Sequence, residues 1–463
     1  MKTFFTKSAL YLALTIPAFF FLGCDDSEEG GSYEFSVEPT VLTFSAKQET
    51  QTLSVRTYGD WSIVLPQDAA WLKVSAMSGR GPAEIEVTAE NYYRTDTSRT
   101  ARLTVTGGNS GDFPVEVVQQ KLQMNDLSAA GKANCYIVPT SGDFVINAAT
   151  QGNSESEQVG EWTSAELLWE DNRELITDLD GDPESKRIFF STAAAGNAVI
   201  AVKDASGKIL WSWHIWATDF DPNAKTLKYT NDNGSTWEFM DRNLGAANAE
   251  SGSFGAFGLL YQWGRKDPFT AATAFAPENP SETIRWNMLN NPLPAMASDA
   301  DSMGTVQLSI EHPTSFYVTR YAHGDWNGQP DPDLWGAVSG QKTVYDPCPA
   351  GWRVPAYDAQ GDSPYAFVTR QTTTGTDNIG RIYTDGNGND FLFPVAGSRV
   401  NGTGTLDCPG NYGSLWTATG KTTSNEDGTI EYGCLLFFTT GRLVSATYYD
   451  TRSQGVSVRC VKE

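Results

Sequence analysis

The chain has 463 residues, more than one hydrophobic core can hold, so we expect two to four domains. Its 43 Gly, 22 Pro, 14 Trp, 18 Tyr and 23 Phe are typical of a mainly β protein with many turns. The formal net charge of −23 repels phosphate backbones, which excludes nucleic acid as an expected partner. Three histidines argue against a histidine-rich zinc site, and we predict neither a metal nor a cofactor.

The first residues have the pattern of an export signal. Lys2 and Lys7 lead into an apolar run from 9 to 22, which ends at Gly23 and Cys24. The run is too short to cross the ~30 Å core of a bilayer as a helix. A charged start, a short apolar stretch and small residues at its end indicate a signal peptide over residues 1–23, removed on maturation.

Cys24 resembles the acylated cysteine of bacterial lipoproteins, because it follows Leu22 and Gly23. The acidic and Gly-rich linker over 24–33 resembles the surface-export signal of Bacteroidota lipoproteins. The resemblance implies that Cys24 carries a lipid anchor in the cell outer membrane, with the protein exposed at the surface. The alternative is an ordinary cleaved signal followed by a spare cysteine.

Residues 34–121 are expected to form a β-sandwich. Alternating apolar and polar residues predict short strands at 41–44, 52–55, 61–64, 85–87, 102–106 and 115–118. The segment resembles the BACON domain at Trp61, Trp71-Leu72, Ser78-Gly79, Asn91, Arg99 and Val118-Gln119. That resemblance implies an immunoglobulin-like fold, often attached to surface proteins that handle carbohydrate. Trp61 and Trp71 could stack on sugar rings, but their apolar strand context favours core packing.

Residues 125–222 are predicted to form a second β-sandwich domain. Its expected strands are 135–138, 144–146, 165–169, 187–190, 197–202 and 209–216. The last of these carries bulky residues on both faces, which indicates a central strand covered on both sides. His214 in that strand is interpreted as a core histidine rather than a catalyst, and Cys135 as a buried small hydrophobic residue.

Residues 227–463 contain a series of distinctive strings, at 237–245, 258–268, 346–355, 391–397, 414–418 and 456–461. Taken in that order, these strings resemble the FISUMP, or major paralogous, domain of Bacteroidota surface lipoproteins. The resemblance implies a C-type lectin-like α+β domain. The expected fold class is therefore mainly β, with two immunoglobulin-like β-sandwich domains followed by this C-type lectin-like domain. Residues 261–266 are expected to form a short helix on its sheet.

Four cysteines fall in this last segment: Cys348, Cys408, Cys434 and Cys460. Four cysteines allow three pairings. The resemblance to a lectin-like fold implies the nested pairs Cys348–Cys460 and Cys408–Cys434.

A candidate ligand site lies at Asp325, Trp326 and Asn327, with Trp335 and His323 nearby. An exposed indole flanked by hydrogen-bonding side chains is the chemistry of a sugar site, although a long decorated loop has the same composition. Two other strings are discounted. The Gln-Pro-Asp at 329–331 precedes the Cys-Pro turn, unlike the lectin motif, and 385–390 is better explained as a hairpin turn than as a calcium loop.

These observations favour a non-enzymatic surface lipoprotein that presents a lectin-like head for adhesion or for binding a glycan or protein partner. The alternative is a fimbria-associated structural or tip subunit that contacts its neighbours by strand pairing. A carbohydrate-degrading enzyme is the third possibility. The sequence contains no Gly-x-Ser-x-Gly elbow, no His-Glu-x-x-His string and no phosphate loop, and we predict no catalytic residues.

Overall fold

The alternating apolar and polar residues predicted over 34–121 form the strands of a β-sandwich, as the sequence predicts. The computed structural model describes residues 35–94, 97–107, 110–274, 278, 280–296, 298–299, 304–318, 324–370, 380–426, 428–441 and 443–463. The predicted signal, the linker, Cys24 and His323 lie outside the described residues. The chain divides into an N-terminal unit that ends at Leu122 and a C-terminal unit, Gln123–Glu463. None of the helices in the described ranges is long and apolar enough to span a membrane.

The N-terminal unit is a β-sandwich of a four-stranded and a five-stranded sheet. Its strands are β1 Ser36–Glu38, β2 Val41–Phe44, β3 Glu49–Arg56, β4 Asp60–Val64, β5 Leu72–Val74, β6 Ser78–Arg80, β7 Ala83–Ala89, β8 Arg99–Thr106 and β9 Asp112–Gln119. The sheets have the orders β1-β3-β7-β5 and β2-β9-β8-β4-β6. Every second residue of β3 and β8 turns inward, so that Leu53, Val55, Leu103 and Val105 are buried between the sheets.

The two tryptophans of this unit are packing residues, as predicted. Trp61 is buried and covers Gly79 so closely that a Cβ there would lie 2.4 Å from the indole. Trp71 is half-buried beneath the guanidinium of Arg99, which lies 4.2 Å from its ring centre. The position of Gly79 is therefore explained by close packing rather than by a turn.

The C-terminal unit begins with a second sandwich of two four-stranded sheets. Its strands are β10 Asn125–Asp126, β11 Cys135–Val138, β12 Gly142–Asn147, β13 Ser164–Glu170, β14 Ile176–Asp182, β15 Arg187–Thr192, β16 Gly196–Lys203 and β17 Ile209–Ala217. The sheets have the orders β10-β12-β15-β14 and β11-β17-β16-β13. Strand β17 is central and covered on both sides, which confirms the interpretation of its bulky residues. His214 and Cys135 are both buried, also as predicted.

The rest of the unit is rich in short strands and loops. Its strands are β18 Thr226–Thr230, β19 Thr236–Met240, β20 Leu260–Gln262, β21 Ser298–Asp299, β22 Phe316–Tyr317, β23 Trp352–Arg353, β24 Gly380–Thr384, β25 Asp390–Pro394, β26 Ser398–Arg399, β27 Leu406–Asp407, β28 Tyr412–Asn425, β29 Gly428–Thr439, β30 Val444–Thr451, β31 Gly455–Ser457 and β32 Val461–Lys462. Its helices are α1 Val306–Glu311 and α2 Phe367–Arg370. The main sheet has the order β27-β26-β31-β28-β29-β30, and a smaller sheet has the order β18-β19-β32-β23.

The helix predicted at 261–266 is wrong. Leu260–Gln262 is strand β20, which pairs with β31, and the N–H of Trp263 donates to the carbonyl of Arg452 at 3.1 Å. A neighbouring strand distant in sequence thus takes the hydrogen bonds that a helix would make locally. The protein is mainly β, as predicted, whereas the C-type lectin-like assignment stays a prediction.

The second sandwich and the last segment share one hydrophobic core. Trp169 and Trp216 of the sandwich belong to the same buried cluster as Trp263, Trp335 and Trp416. The side-chain amide of Asn134 also donates to the carbonyls of Val344 and Asp346, at 2.7 and 2.8 Å. The segments predicted as separate domains at 125–222 and 227–463 therefore form one compact unit.

Candidate functional site

The residues predicted to bind a ligand lie in the core. Trp326 is only 1% exposed, and its indole N–H donates to the carbonyl of Trp263 at 2.7 Å. The carboxylate of Asp325 pairs with the guanidinium of Arg452 at 3.1 Å, and both groups are buried. The prediction of an exposed site is therefore wrong, because acceptors and charges from distant strands satisfy these polar groups.

Asn327 and Trp335 are also buried and bonded internally. The amide of Asn327 donates to the carbonyl of Gln329 at 2.6 Å, and the indole of Trp335 donates to the carbonyl of Tyr345 at 3.2 Å. The structure does bring the predicted residues together, since Trp326 and Trp335 both contact Trp263. These residues form part of the hydrophobic core and not a binding surface.

One of the two predicted disulfides is present. Cys348 and Cys460 are bonded, whereas Cys408 and Cys434 are free thiols, so that pairing is wrong. Hydrogen bonds through Asn411 place Cys408 near Thr440, just beyond the end of β29, whereas Cys434 lies in the middle of that strand. The six positions from Cys434 to Thr440 span roughly 20 Å of extended strand. A disulfide needs Cα atoms within about 7 Å of each other.

A partly exposed group of rings lies instead at the edge of the main sheet. We call it the aromatic edge, and it consists of Tyr412, Tyr432, Phe437, Tyr448 and Tyr449. Strand β30 is the last strand of the sheet, and it carries Tyr448 and Tyr449, which are 45% and 40% exposed. Strand β29 supplies Tyr432 and Phe437, and β28 begins with Tyr412. All five side chains therefore come from three neighbouring strands.

The rings of the aromatic edge form a continuous series. Ring centres are 5.5 Å apart from Tyr412 to Phe437, and 5.0 Å apart from Phe437 to Tyr448. They are 6.2 Å apart from Tyr448 to Tyr449, and 4.9 Å apart from Tyr449 to Tyr432. Neighbours in a strand point to opposite faces of a sheet, so the series passes around β30 from one face to the other.

Fixed polar groups accompany these rings. The ammonium of Lys421 lies 3.8 Å from the ring centre of Tyr449. The carboxylate of Glu431 accepts a bond from the hydroxyl of Thr422 at 2.9 Å, and lies 3.0 Å from the guanidinium of Arg452. Burial raises the pKa of Asp450, the strand neighbour of Tyr449. One ring thus contacts a fixed cation, and acidic residues alternate with the rings along β29 and β30.

At one end of the series the aromatic edge is anchored to the sheet. The hydroxyl of Tyr412 shares a hydrogen bond of 2.8 Å with that of Ser398, and donates to the carboxylate of Asp407 at 3.1 Å. Burial raises the pKa of Tyr412 above its usual value. This ring is therefore held in place, whereas Tyr448 and Tyr449 present more of their surface to solvent.

Large apolar ring faces in solvent are commonly interaction sites. Flat rings bordered by fixed hydrogen-bonding groups suit a ligand with one apolar face and a ring of hydroxyls.

Sequence analysis missed this surface because tyrosines in alternating strands are also typical of a core. The adjacent Tyr448 and Tyr449 were the available signal, since one of two neighbours in an edge strand must face away from the core. No group of acids, histidines and cysteines able to hold a metal occurs among the described residues.

The family model BACON, described as "Putative binding domain, N-terminal", matches residues 61–120. These residues therefore form a BACON domain, as their sequence suggested. The matched region lies wholly within the first sandwich. No curated protein matches the chain.

Among solved structures, a Bacteroides ovatus GH5 xyloglucanase in complex with a XXXG heptasaccharide is 24% identical, with a TM-score of 0.18. The match covers 23% of this chain and 27% of that one. A protein of unknown function from Porphyromonas gingivalis W83 is 12% identical, with a TM-score of 0.16, over 40% of this chain and 99% of that one. A Bacteroides thetaiotaomicron protein is 19% identical, with a TM-score of 0.16, over 22% and 100%.

Proposed function

We propose that this protein is a non-enzymatic cell-surface lipoprotein that binds glycans through the aromatic edge. The observation that carries the proposal is the series of rings around β30, in which Tyr448 and Tyr449 are exposed. The C-H face of a pyranose packs on such rings, while its hydroxyls bond to neighbouring polar groups. The site first predicted at Asp325, Trp326, Asn327 and Trp335 is thereby replaced by a different surface of the same unit.

The charge of the protein limits the class of glycan. With a net charge of −23, the chain repels polyanions at moderate ionic strength. Lys421 is the cation that contacts the ring of Tyr449, whereas the strand neighbours of Tyr432 and Tyr449 are the acids Glu431 and Asp450. The aromatic edge therefore suits neutral oligosaccharides rather than sulfated or uronic-acid polymers.

The anchor is part of the same proposal and rests on the sequence. Acylation of Cys24 would tether the N-terminus to the cell outer membrane and leave the C-terminal unit free to meet ligands. The BACON domain would follow the linker directly. Mass spectrometry of the protein from its native membrane should find a lipid on Cys24; an unmodified cysteine there would contradict the anchor.

Neutral glycan arrays probed with the full chain test the binding proposal. We expect Tyr448→Ala/Tyr449→Ala to weaken a positive interaction about tenfold or more, equivalent to about 1.4 kcal/mol, because two stacking faces are removed. Phe254→Ala is the matched control, since this ring is 51% exposed but lies outside the aromatic edge. We expect the control to bind like the unaltered protein.

Equal binding by the double variant and the control would contradict the role of the aromatic edge. A folded protein that retains no glycan would contradict the binding function and favour the fimbria-associated alternative. Cleavage of a bound oligosaccharide during the same incubations would contradict the non-enzymatic assignment.

A further inference from the structure

A cleft of about 650 Å³ lies along strand β11 in the C-terminal unit. Its floor is β11 with the following Pro139, and one side is the chain that leaves β17, residues 218–223. The other sides are the 126–131 segment and the Cys-Pro turn, which contributes Pro349, Ala350 and Trp352. None of the residues of the aromatic edge lines it, so this is a separate surface.

The backbone of β11 points into this cleft. Strand β11 is at the edge of its sheet and pairs in parallel with β17. The carbonyls of Asn134 and Val138 accept bonds from the N–H groups of His214 and Thr218, both at 2.8 Å. Residues alternate in a parallel ladder, so the N–H and C=O groups of Cys135 and Ile137 point the opposite way. An edge strand of this kind is a template for one more strand.

The side walls of the cleft are apolar. Trp352 is buried, and Phe220 is half-buried with its ring centre 5.4 Å from that of Trp216. The guanidinium of Arg242 lies 4.0 Å from the ring centre of Phe220, which holds that ring in position. An extended chain added to β11 would alternate side chains towards these walls and towards solvent.

The rim of the cleft is acidic. Asp126, Asp219 and Asp221 line it and are exposed, and none of the described residues that line it is a Lys or an Arg. Asp126 is partly balanced by Arg187, 3.6 Å away, which leaves Asp219 and Asp221 as the main charges. These carboxylates favour a basic occupant and disfavour an acidic one.

We propose that β11 binds an extended, basic peptide segment of a partner protein by strand addition. The segment would exchange backbone hydrogen bonds with Ile137, the partly exposed residue of β11 whose N–H and C=O groups point away from β17. Its alternate apolar side chains would pack against Phe220 and Trp352, and its Lys or Arg side chains would meet Asp219 and Asp221. This interaction does not depend on glycan binding.

The test uses the full chain and three synthetic eight-residue peptides. The first alternates Val and Lys, the second alternates Val and Glu, and the third is the first with backbone N-methyl groups on alternate residues. Binding is measured by fluorescence anisotropy, and hydrogen exchange of segment 134–139 reports protection of β11. We expect the Val-Lys peptide to bind and to slow exchange there, and the other two to bind at least tenfold more weakly.

Ile137→Pro tests the backbone contact directly. The N–H of Ile137 points away from β17, so proline removes a donor from the cleft without removing a bond of the ladder. Ile137→Ala is the matched control for loss of the side chain. We expect Ile137→Pro to weaken Val-Lys binding about tenfold more than Ile137→Ala does. Asp219→Asn/Asp221→Asn should weaken it and reduce its dependence on salt.

Several results would overturn the proposal. One is failure of the Val-Lys peptide to bind the unaltered protein, and another is equal binding of the Val-Glu or N-methylated peptide. A third is equal affinity in folded Ile137→Pro and Ile137→Ala proteins, where circular dichroism confirms folding. Dimerisation of the chain that protects 134–139 without peptide would assign the edge to a second copy instead.

Discussion

At the level of single residues, distant partners decide what a polar side chain does. Asp325 and Trp326 form part of a polar string that has the composition of a binding loop. Arg452, 127 positions away, neutralises the carboxylate, and the carbonyl of Trp263 accepts the indole N–H. Local composition contains neither contact, which is why sequence analysis placed the site wrongly. His214 and Trp61 were interpreted correctly because their own strands already indicated burial.

His214 is buried and belongs to a chain of three hydrogen-bonded polar side chains. Its Nε2 lies 2.9 Å from Oδ1 of Asn197, whose Nδ2 donates to the carboxylate of Asp171 at 2.7 Å. Nδ1 of His214 has no hydrogen-bond partner in the described part of the protein. Burial lowers the pKa of His214 to about 3, and burial raises the pKa of Asp171 to about 6. The two groups respond to acid in opposite directions.

His214 and Asp171 should change the stability of the protein in opposite directions as the pH falls. Below its ordinary pKa of 6.5 the unfolded His214 binds a proton that the folded one does not, so stability falls as pH falls. Between pH 6 and 3.8 folded Asp171 holds a proton that the unfolded one releases, so stability rises as pH falls. On going from pH 6 to 4, the free energy of unfolding of His214→Gln should rise by about 1.2 kcal/mol per pH unit relative to the unaltered protein, and that of Asp171→Asn should fall by about 1 kcal/mol per pH unit.

Urea unfolding of the three proteins at pH 6, 5 and 4 measures these slopes. The starting stability of each variant does not matter, because only the change with pH is compared. Parallel profiles for all three proteins would contradict the assignment of both groups.

At the level of elements, alternation in the sequence predicted strands well. The disulfides, which were predicted from a resemblance, are confirmed only in part. Every strand predicted in the first 222 residues overlaps an observed one, because period-two patterns reflect the two faces of a sheet. Strand β20 was missed, since its partner β31 lies almost 200 positions further on and provides no local signal. Cys408 and Cys434 were paired by resemblance, although the length of β29 separates them.

Loss of the single disulfide should destabilise the C-terminal unit. The bond between Cys348 and Cys460 closes a loop of 112 residues and joins the Cys-Pro turn to the segment before β32. In the chain-entropy model, a loop of about this length contributes roughly 4 to 5 kcal/mol. We expect Cys348→Ala/Cys460→Ala to lower the melting temperature of this unit and to leave that of the N-terminal unit unchanged.

Differential scanning calorimetry of the oxidised protein and the double variant measures the effect. Cys408→Ala/Cys434→Ala is the matched control, because it removes two free thiols and no bond. A larger loss of melting temperature in the control than in the disulfide variant would contradict the prediction.

At the level of the whole molecule, sequence analysis recognised the types of structure but not their grouping. Residues 125–222 and 227–463 were predicted to be separate domains, with a boundary near 222. Trp169 and Trp216 lie before that boundary in the sequence, yet their side chains pack in the same core as residues of the last segment. Such contacts arise only when strands distant in sequence meet, so hydrophobic periodicity does not reveal them. The boundary near 122 was recognised because the BACON pattern ends there and the sandwich closes on itself.

The grouping predicts which fragments fold. A fragment of residues 35–122 should unfold in one cooperative transition, because its buried residues contact one another. A fragment of residues 123–222 should not, because Cys135, Trp169 and Trp216 would lose the partners that cover them. Tryptophan fluorescence and urea titration of the two fragments provide the test. A cooperative transition in the second fragment would contradict the shared core.

The pairing of β19 with β32 has a consequence for the rate of folding. Lys462 bonds to Glu238 across 224 positions of sequence, and β32 lies between β19 and β23 in the smaller sheet. Segments so far apart in sequence meet rarely, because closing the loop between them costs entropy before any stabilising contact has formed. We therefore expect the C-terminal unit to refold more slowly than the N-terminal sandwich, and its tryptophan-rich segments to be open to aggregation and to chaperones during that interval.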